Sequence, residues 1–219
     1  MNTSSSRLRI RLAAERFRQR LAPHHVGPLD IEYLMESVLD MVLMPKQGLI
    51  ANAKCKAWLA VDGRTVCIDE DYFNTDLPEV RETIMHEVAH AQLHQRLLPH
   101  SAVTRLGDYD SFRARLSQEE VEFAELEARA FCGHVLVPTR LLEMSFSLAN
   151  ARRLLRARQP PHSQRDPELE LAAIARQIAV RYGVTDALAM RRISEERLLE
   201  KSPYLFLQLD QSSAASLLA

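Results

Sequence analysis

Residues 81–94 read RETIMHEVAHAQLH, and the reading of this stretch decides the rest. Val80, Ile84, Val88, Ala91 and Leu93 supply apolar contacts with no Gly or Pro between them, which predicts a helix. Leu77-Pro78 starts it and Pro99 ends it, giving a span from Pro78 to about Leu98. Residues four apart on a helix stand one turn above each other, so His86 and His90 project side by side. Two imidazole nitrogens placed this way can bind one Zn²⁺ at about 2.0–2.1 Å. Glu87 falls between them on the neighbouring edge of the same face, placed to take a proton from a water on the metal without being a ligand.

A surface helix with two ordinary histidines has the same spacing, so the reading turns on a third ligand. A catalytic zinc takes three protein ligands and keeps one position open. The helix expected from Ser117 or Gln118 to Val137 offers Glu119, Glu120, Glu122, Glu125 and Glu127, and spacing alone does not choose among them. His94 stands at the next i+4 step, but about 12 Å of axial rise separates it from His86, too far to share an ion. The pattern HExxHxxGxxH brings a third histidine round with a glycine turn, and Gln92 and Leu93 provide none. His94 is therefore read as a neighbour of the site or a packing residue.

Outward from this helix the chain has ordinary globular composition. It has 219 residues, 47% hydrophobic and 26% charged, which excludes a disordered chain. The longest stretch without Asp, Glu, Lys or Arg is ten residues, Ala130 to Thr139, too short for a membrane-spanning helix of about 20 apolar residues. Only six glycines favour helices over many tight hairpins. Three cysteines, Cys55, Cys67 and Cys132, with no close pair, and no secretory signal ahead of them, point to the cytoplasm. The formal charge of −1 hides a division: residues 1–25 are net +5, residues 26–138 net −9, and residues 139–219 net +3. Such asymmetry bears on partners.

Arg7 to Leu21 carries a helical stripe of Leu8, Leu12, Ala13, Phe17 and Leu21 between arginines. Asp30 is the expected N-cap of a helix with Ile31, Leu34, Met35, Val38, Leu39 and Val42 on its apolar side, ended by Pro45. Lys56 to Val61 and Arg64 to Ile68 flank Asp62-Gly63, the dipeptide preferred in a type I′ hairpin turn. A two-residue turn there sets Trp58 opposite Cys67 and Cys55 opposite Glu70, with no cross-strand disulfide. Thr139 to Arg158 reads as a helix and QPPHSQRDP, residues 159–167, as a linker. Glu168 to Tyr182 and Thr185 to Glu200 form two further helices, with Gly183 as stop and Thr185 as N-cap. The expected architecture is α+β and mostly helical: a small antiparallel sheet beside the HExxH helix, its third strand from Gly48 to Asn52, and a helix-turn-helix-like C-terminal pair. The expected organisation is a basic N-terminal helix (1–25), a metallopeptidase-like domain (26–158), the linker, the helical pair (168–200) and a tail (201–219).

Two segments together, RETIMHEVAHAQLH and EARAFCGHVLVP (Glu127 to Pro138), resemble the ImmA/IrrE metallopeptidases of bacteria and their mobile elements. In that family an HE-x-x-H helix with a further histidine precedes an E-A-N-x-F-A-x-x-L-L-x-P segment. Glu127, Ala128, Phe131, Leu136 and Pro138 match; Arg129, Cys132 and His134 stand where Asn, Ala and Glu are usual. The resemblance spans about Leu29 to Leu199. It implies Zn²⁺, or Mn²⁺, held by His86, His90 and Glu127, with Glu87 as general base in a hydrolase that cleaves a helix-turn-helix repressor and so induces a stress or mobile-element response. Tyr109 and His134 are candidates to stabilise the oxyanion. The acidic middle of the chain fits a basic partner. The family's helix-turn-helix-like segment falls on Ile174 to Ile193, with Arg191 and Arg192 on its second helix. Net +3 over 81 residues is little footing for phosphate contacts, so packing or substrate docking is favoured over direct DNA binding. Two other readings stand beside the peptidase: a zinc-binding regulator or toxin-antitoxin component with little turnover, and a DNA-binding regulator on a vestigial peptidase fold.

Overall fold

The computed structural model describes residues 3–60, 62–75, 77–95, 117–157 and 167–201. It is mostly helical with one small sheet, and the chain forms two compact units that divide after Leu136. The basic N-terminal helix thus belongs to the first unit, and the helix from Thr139 to the second. Boundaries at residues 25 and 158 follow composition; the division at Leu136 follows packing. Most of the expected linker lies outside the described residues. Among the described residues no helix is long and apolar enough to cross a membrane.

The first unit opens with α1 (Thr3–Leu21). Its buried face is Ile10, Ala14, Phe17 and Arg18, whereas Leu8 and Leu12 are exposed. The stripe read from the sequence is therefore rotated: Phe17 belongs to the inward face, and Leu8 and Leu12 do not. Phe17 meets Phe131 edge-on, with ring centroids 5.3 Å apart. Arg18 is buried because its guanidinium donates to the carbonyls of Val135 (2.7 Å) and His25 (3.0 Å).

Asp30 caps α2 (Ile31–Tyr33) as expected, its carboxylate accepting the N–H of Tyr33 at 3.0 Å. The helix then widens over Leu34–Val38, where the N–H of Leu39 reaches back five residues to Leu34. It stops well before Pro45, with Asp40 at φ 53°. Val42–Lys46 is instead strand β1, and the expected strand at Gly48 to Asn52 is replaced by helix α3 (Leu49–Ala53). The reason is pairing with a distant segment: β1 runs parallel to β3 (Thr65–Asp69), Val42 opposite Thr65. The N–H of Val42 points at β3, so Pro45 falls at an outward position where its missing N–H costs no ladder bond.

β2 (Ala57–Leu59) pairs antiparallel with β3, Trp58 opposite Cys67, the register read from the sequence. The turn that achieves it differs. Of Asp62 and Gly63, Gly63 alone has positive φ (67°), and the Asp62 carboxylate accepts the N–H groups of Arg64 and Thr65. The sheet is thus mixed, in the order β1-β3-β2, where a purely antiparallel one was expected. A single turn, α4 (Glu70–Phe73), follows β3.

α5 (Pro78–Leu93) buries Val80, Ile84, Met85, Val88, Ala89 and Ala91. It ends at Leu93, earlier than Leu98, with His94 at the C-cap. α6 (Gln118–Leu136) begins with a reciprocal cap in which Ser117 and Glu120 exchange side-chain and backbone hydrogen bonds. It packs along both α5 and α1, presenting the small residues Ala124 and Ala128 and the larger Phe131 and Val135.

The second unit contains α7 (Thr139–Ala157), α8 (Pro167–Tyr182) and α9 (Asp186–Glu195). Gly183 at φ 60° ends α8, and the Thr185 hydroxyl caps α9 through the N–H of Leu188. α9 stops at Glu195, short of Glu200, with Arg197 at φ 51°. Its core joins Leu142, Phe146, Ile174, Ile178, Leu188 and Ile193.

Candidate metal centre

Helical spacing on α5 brings Nε2 of His86 and Nε2 of His90 to 3.1 Å, with the rings edge to face. From α6, packed across them, Glu125 places Oε2 3.2 Å from Nε2 of His86 and Oε1 3.8 Å from Nε2 of His90. The three ligand atoms lie within 4.8 Å of one another, each on a half-buried side chain. Donors about 2.0–2.1 Å from one tetrahedral zinc stand roughly 3.3–3.5 Å apart, so the observed spacing fits a single ion. Two imidazoles and one carboxylate are also a donor set that a catalytic zinc uses.

The glutamate in this cluster is Glu125, not Glu127. Both stand on α6, but two residues apart on a helix is about 200° of rotation, and they reach different histidines. Glu127 is buried, with Oε2 3.3 Å from Nε2 of His94. Its other oxygen accepts from the Ser6 hydroxyl at 3.1 Å and is ion-paired with the guanidinium of Arg9, both on α1. His94, at the end of α5, sets its Nδ1 3.0 Å from Nδ1 of His90, on the ring edge opposite the ligand nitrogen. Burial pulls the His94 imidazole below the ordinary histidine range, against the opposing pull of the Glu127 carboxylate.

Glu87, next to His86 on α5, is buried, and its Oε2 accepts the backbone N–H of Leu59 at 2.7 Å. This carboxylate is thus tied to the edge strand of the sheet. His134, two turns beyond Glu127, is not among the clustered ligand atoms. Tyr109 lies outside the described residues.

In the sequence Glu125 is one of five acidic candidates, and the rotation of α6 that selects it has no local signature. Leu59, Ser6 and Arg9 carry no local signal, since they reach the site from other elements, Leu59 from β2 and the other two from α1.

No known protein family's profile matches this chain, and no curated protein is significantly similar to it.

Proposed function

We propose that this protein is a zinc-dependent endopeptidase of the ImmA/IrrE kind, working in the cytoplasm on a helix-turn-helix repressor to induce a stress or mobile-element response. One observation carries the chemistry: His86, His90 and Glu125 cluster with ligand atoms within 4.8 Å, and Glu87, on the helix of the two histidines, is held by the edge strand. A zinc ion in that donor set, or manganese in its place, supplies a water of lowered pKa and polarises the scissile carbonyl.

The chain's own residues do the rest. His86 and His90 present their Nε2 lone pairs from successive turns of α5. Glu125 adds a negative charge from α6. Glu87 takes the proton of the attacking water and returns it to the leaving amine. The Leu59 N–H holds the Glu87 carboxylate against the edge strand, so the base is oriented before substrate arrives.

The net charge of −9 over residues 26–138 supports a basic protein substrate. The DNA-binding alternative loses one of its two arginines, since Arg192 is fully buried. A zinc-binding regulator without turnover is told apart by a Glu87→Gln variant that stays fully functional.

The test pairs metal content with cleavage. Elemental analysis of the purified protein is expected to find one zinc per chain, sharply reduced in His90→Ala and Glu125→Ala. Incubation with helix-turn-helix repressors from the same genome is expected to cleave one of them, and Glu87→Gln to abolish that cleavage while keeping the metal. No metal in the wild type, even when zinc is offered, overturns the reading.

A further inference from the structure

A chain of hydrogen-bonding groups runs from α1 to the candidate metal ligand His90. Arg9 and Ser6 hold Oε1 of Glu127; Oε2 of Glu127 meets Nε2 of His94 at 3.3 Å; Nδ1 of His94 meets Nδ1 of His90 at 3.0 Å. The other ring nitrogen of His90 is the one in the ligand cluster.

The direction of the protons along this chain follows from its ends. To bind a metal, Nε2 of His90 must present its lone pair, so the ring proton sits on Nδ1. That N–H donates to Nδ1 of His94, which must then accept. The remaining proton of His94 is on Nε2, and it donates to Glu127. An ionised carboxylate only accepts, and with Arg9 and Ser6 donating to Oε1, its Oε2 is the oxygen turned to His94. With one proton on each imidazole the contacts are satisfied in this direction, which leaves the Nε2 lone pair of His90 facing the ligand cluster.

We propose that Arg9 and Ser6 of the N-terminal helix are positioning residues for the metal centre: through Glu127 and His94 they hold His90 in the tautomer that can ligate. The proposal rests on the metal reading above. It gives α1 a task at the site, although no described α1 side chain is in the ligand cluster. A metal-bound histidine whose second nitrogen donates to an anchored acceptor is a stronger and better-oriented ligand, and losing such a partner costs about 10–100-fold in metal affinity.

The experiment uses the full chain labelled with ¹⁵N-histidine, as wild type, Arg9→Ala, Arg9→Lys and Glu127→Gln. Zinc affinity is measured by chelator competition, and the His90 tautomer by ¹⁵N–¹H correlation spectra of the metal-free protein. Arg9→Ala and Glu127→Gln are expected to bind zinc about 10–100-fold more weakly and to show His90 as a mixture of tautomers. Arg9→Lys, which restores a cationic donor, is expected to recover most of both. Unchanged affinity in Arg9→Ala and Glu127→Gln overturns the proposal and leaves the metal reading standing. So does a loss of affinity with the His90 tautomer unaltered, since that is general loosening of the fold. A wild type that takes up no zinc overturns the metal reading and the proposal with it. Should Glu127→Gln fail to fold, Arg9→Ala carries the test, because the Arg9 side chain is 65% exposed.

Discussion

The backbone N–H of Leu59 donates to Oε2 of Glu87 across 2.7 Å. Along β2 the groups of Ala60 and Lys56 face β3, so those of Leu59 between them point the other way, toward α5. The outer edge of the smallest strand thereby orients the carboxylate assigned as general base.

Two substitutions at Glu87 should therefore behave differently. Glu87→Gln keeps an acceptor for Leu59 and is expected to fold with wild-type stability, retain metal and lose about 10²–10⁴-fold in turnover. Glu87→Ala takes that acceptor from a buried N–H and is expected to cost a further 1–3 kcal/mol or so of stability. Denaturant melts of the two variants beside wild type check this, and equal stabilities would contradict the role given to the Leu59 contact.

Glu125 and Glu127 should separate by degree. Glu125→Ala removes a proposed ligand and is expected to weaken zinc binding by more than the roughly 10–100-fold expected of a residue acting through another. Glu127→Gln is expected to fall within that range. Chelator titrations of both variants decide it, and the reverse order would return the ligand role to Glu127.

Arg192 is fully buried in the second unit. It donates to Glu195, Glu196, the Thr139 hydroxyl and the carbonyl of Val137. Arg192→Ala takes the cation from the buried Glu196 carboxylate, leaving it the Thr139 hydroxyl as a donor, and is expected to destabilise by about 3–5 kcal/mol. Arg191 is 41% exposed on its side chain, and Arg191→Ala is expected to change stability by about 0.5 kcal/mol or less. Thermal melts distinguish the two. A charge reversal at Arg192 thus reports on folding rather than on nucleic-acid binding, and of the two arginines Arg191 is the one that tests the latter.

Asp69 supplies a pH signature. The N–H groups of Ile50 and Tyr72 donate to its carboxylate at 3.0 Å each and hold its pKa below the ordinary carboxylate value of 3.8. A depressed folded pKa means that the unfolded chain binds the proton more readily. The stabilisation is present above the ordinary value and is lost as pH falls through the folded one. Denaturation midpoints of wild type and Asp69→Asn between pH 5 and about 2 are expected to converge as pH falls. Parallel curves would show that Asp69 contributes nothing to the acid limb.

Much of this molecule was legible because it is local. The HExxH spacing predicts two imidazoles side by side from the helical period alone, and Nε2 to Nε2 is 3.1 Å. Asp30 and Thr185 cap helices because their side chains reach an N–H three residues on. The pairing of Trp58 with Cys67 follows from counting outward from Asp62-Gly63, and it holds although Asp62 does not adopt the backbone of a type I′ turn. Elsewhere a distant partner decides. Val42 fits the apolar side of the preceding helix, and only a parallel partner at Thr65 makes it strand. Leu8 and Leu12 fit a buried stripe as well as Ile10 and Ala14 do, and contact with α6 picks the second pair.

The candidate metal centre divides along the same line. Sequence by itself determined His86, His90 and Glu87, because one helix with a period of 3.6 residues places all three. Which glutamate joins them was decided only in three dimensions. Glu125 and Glu127 are equally acidic and two positions apart, and the choice depends on how α6 is rotated about its own axis against α5. That rotation is fixed by Ala124, Ala128 and Phe131 packing into neighbouring helices, contacts between segments whose partners no local pattern names.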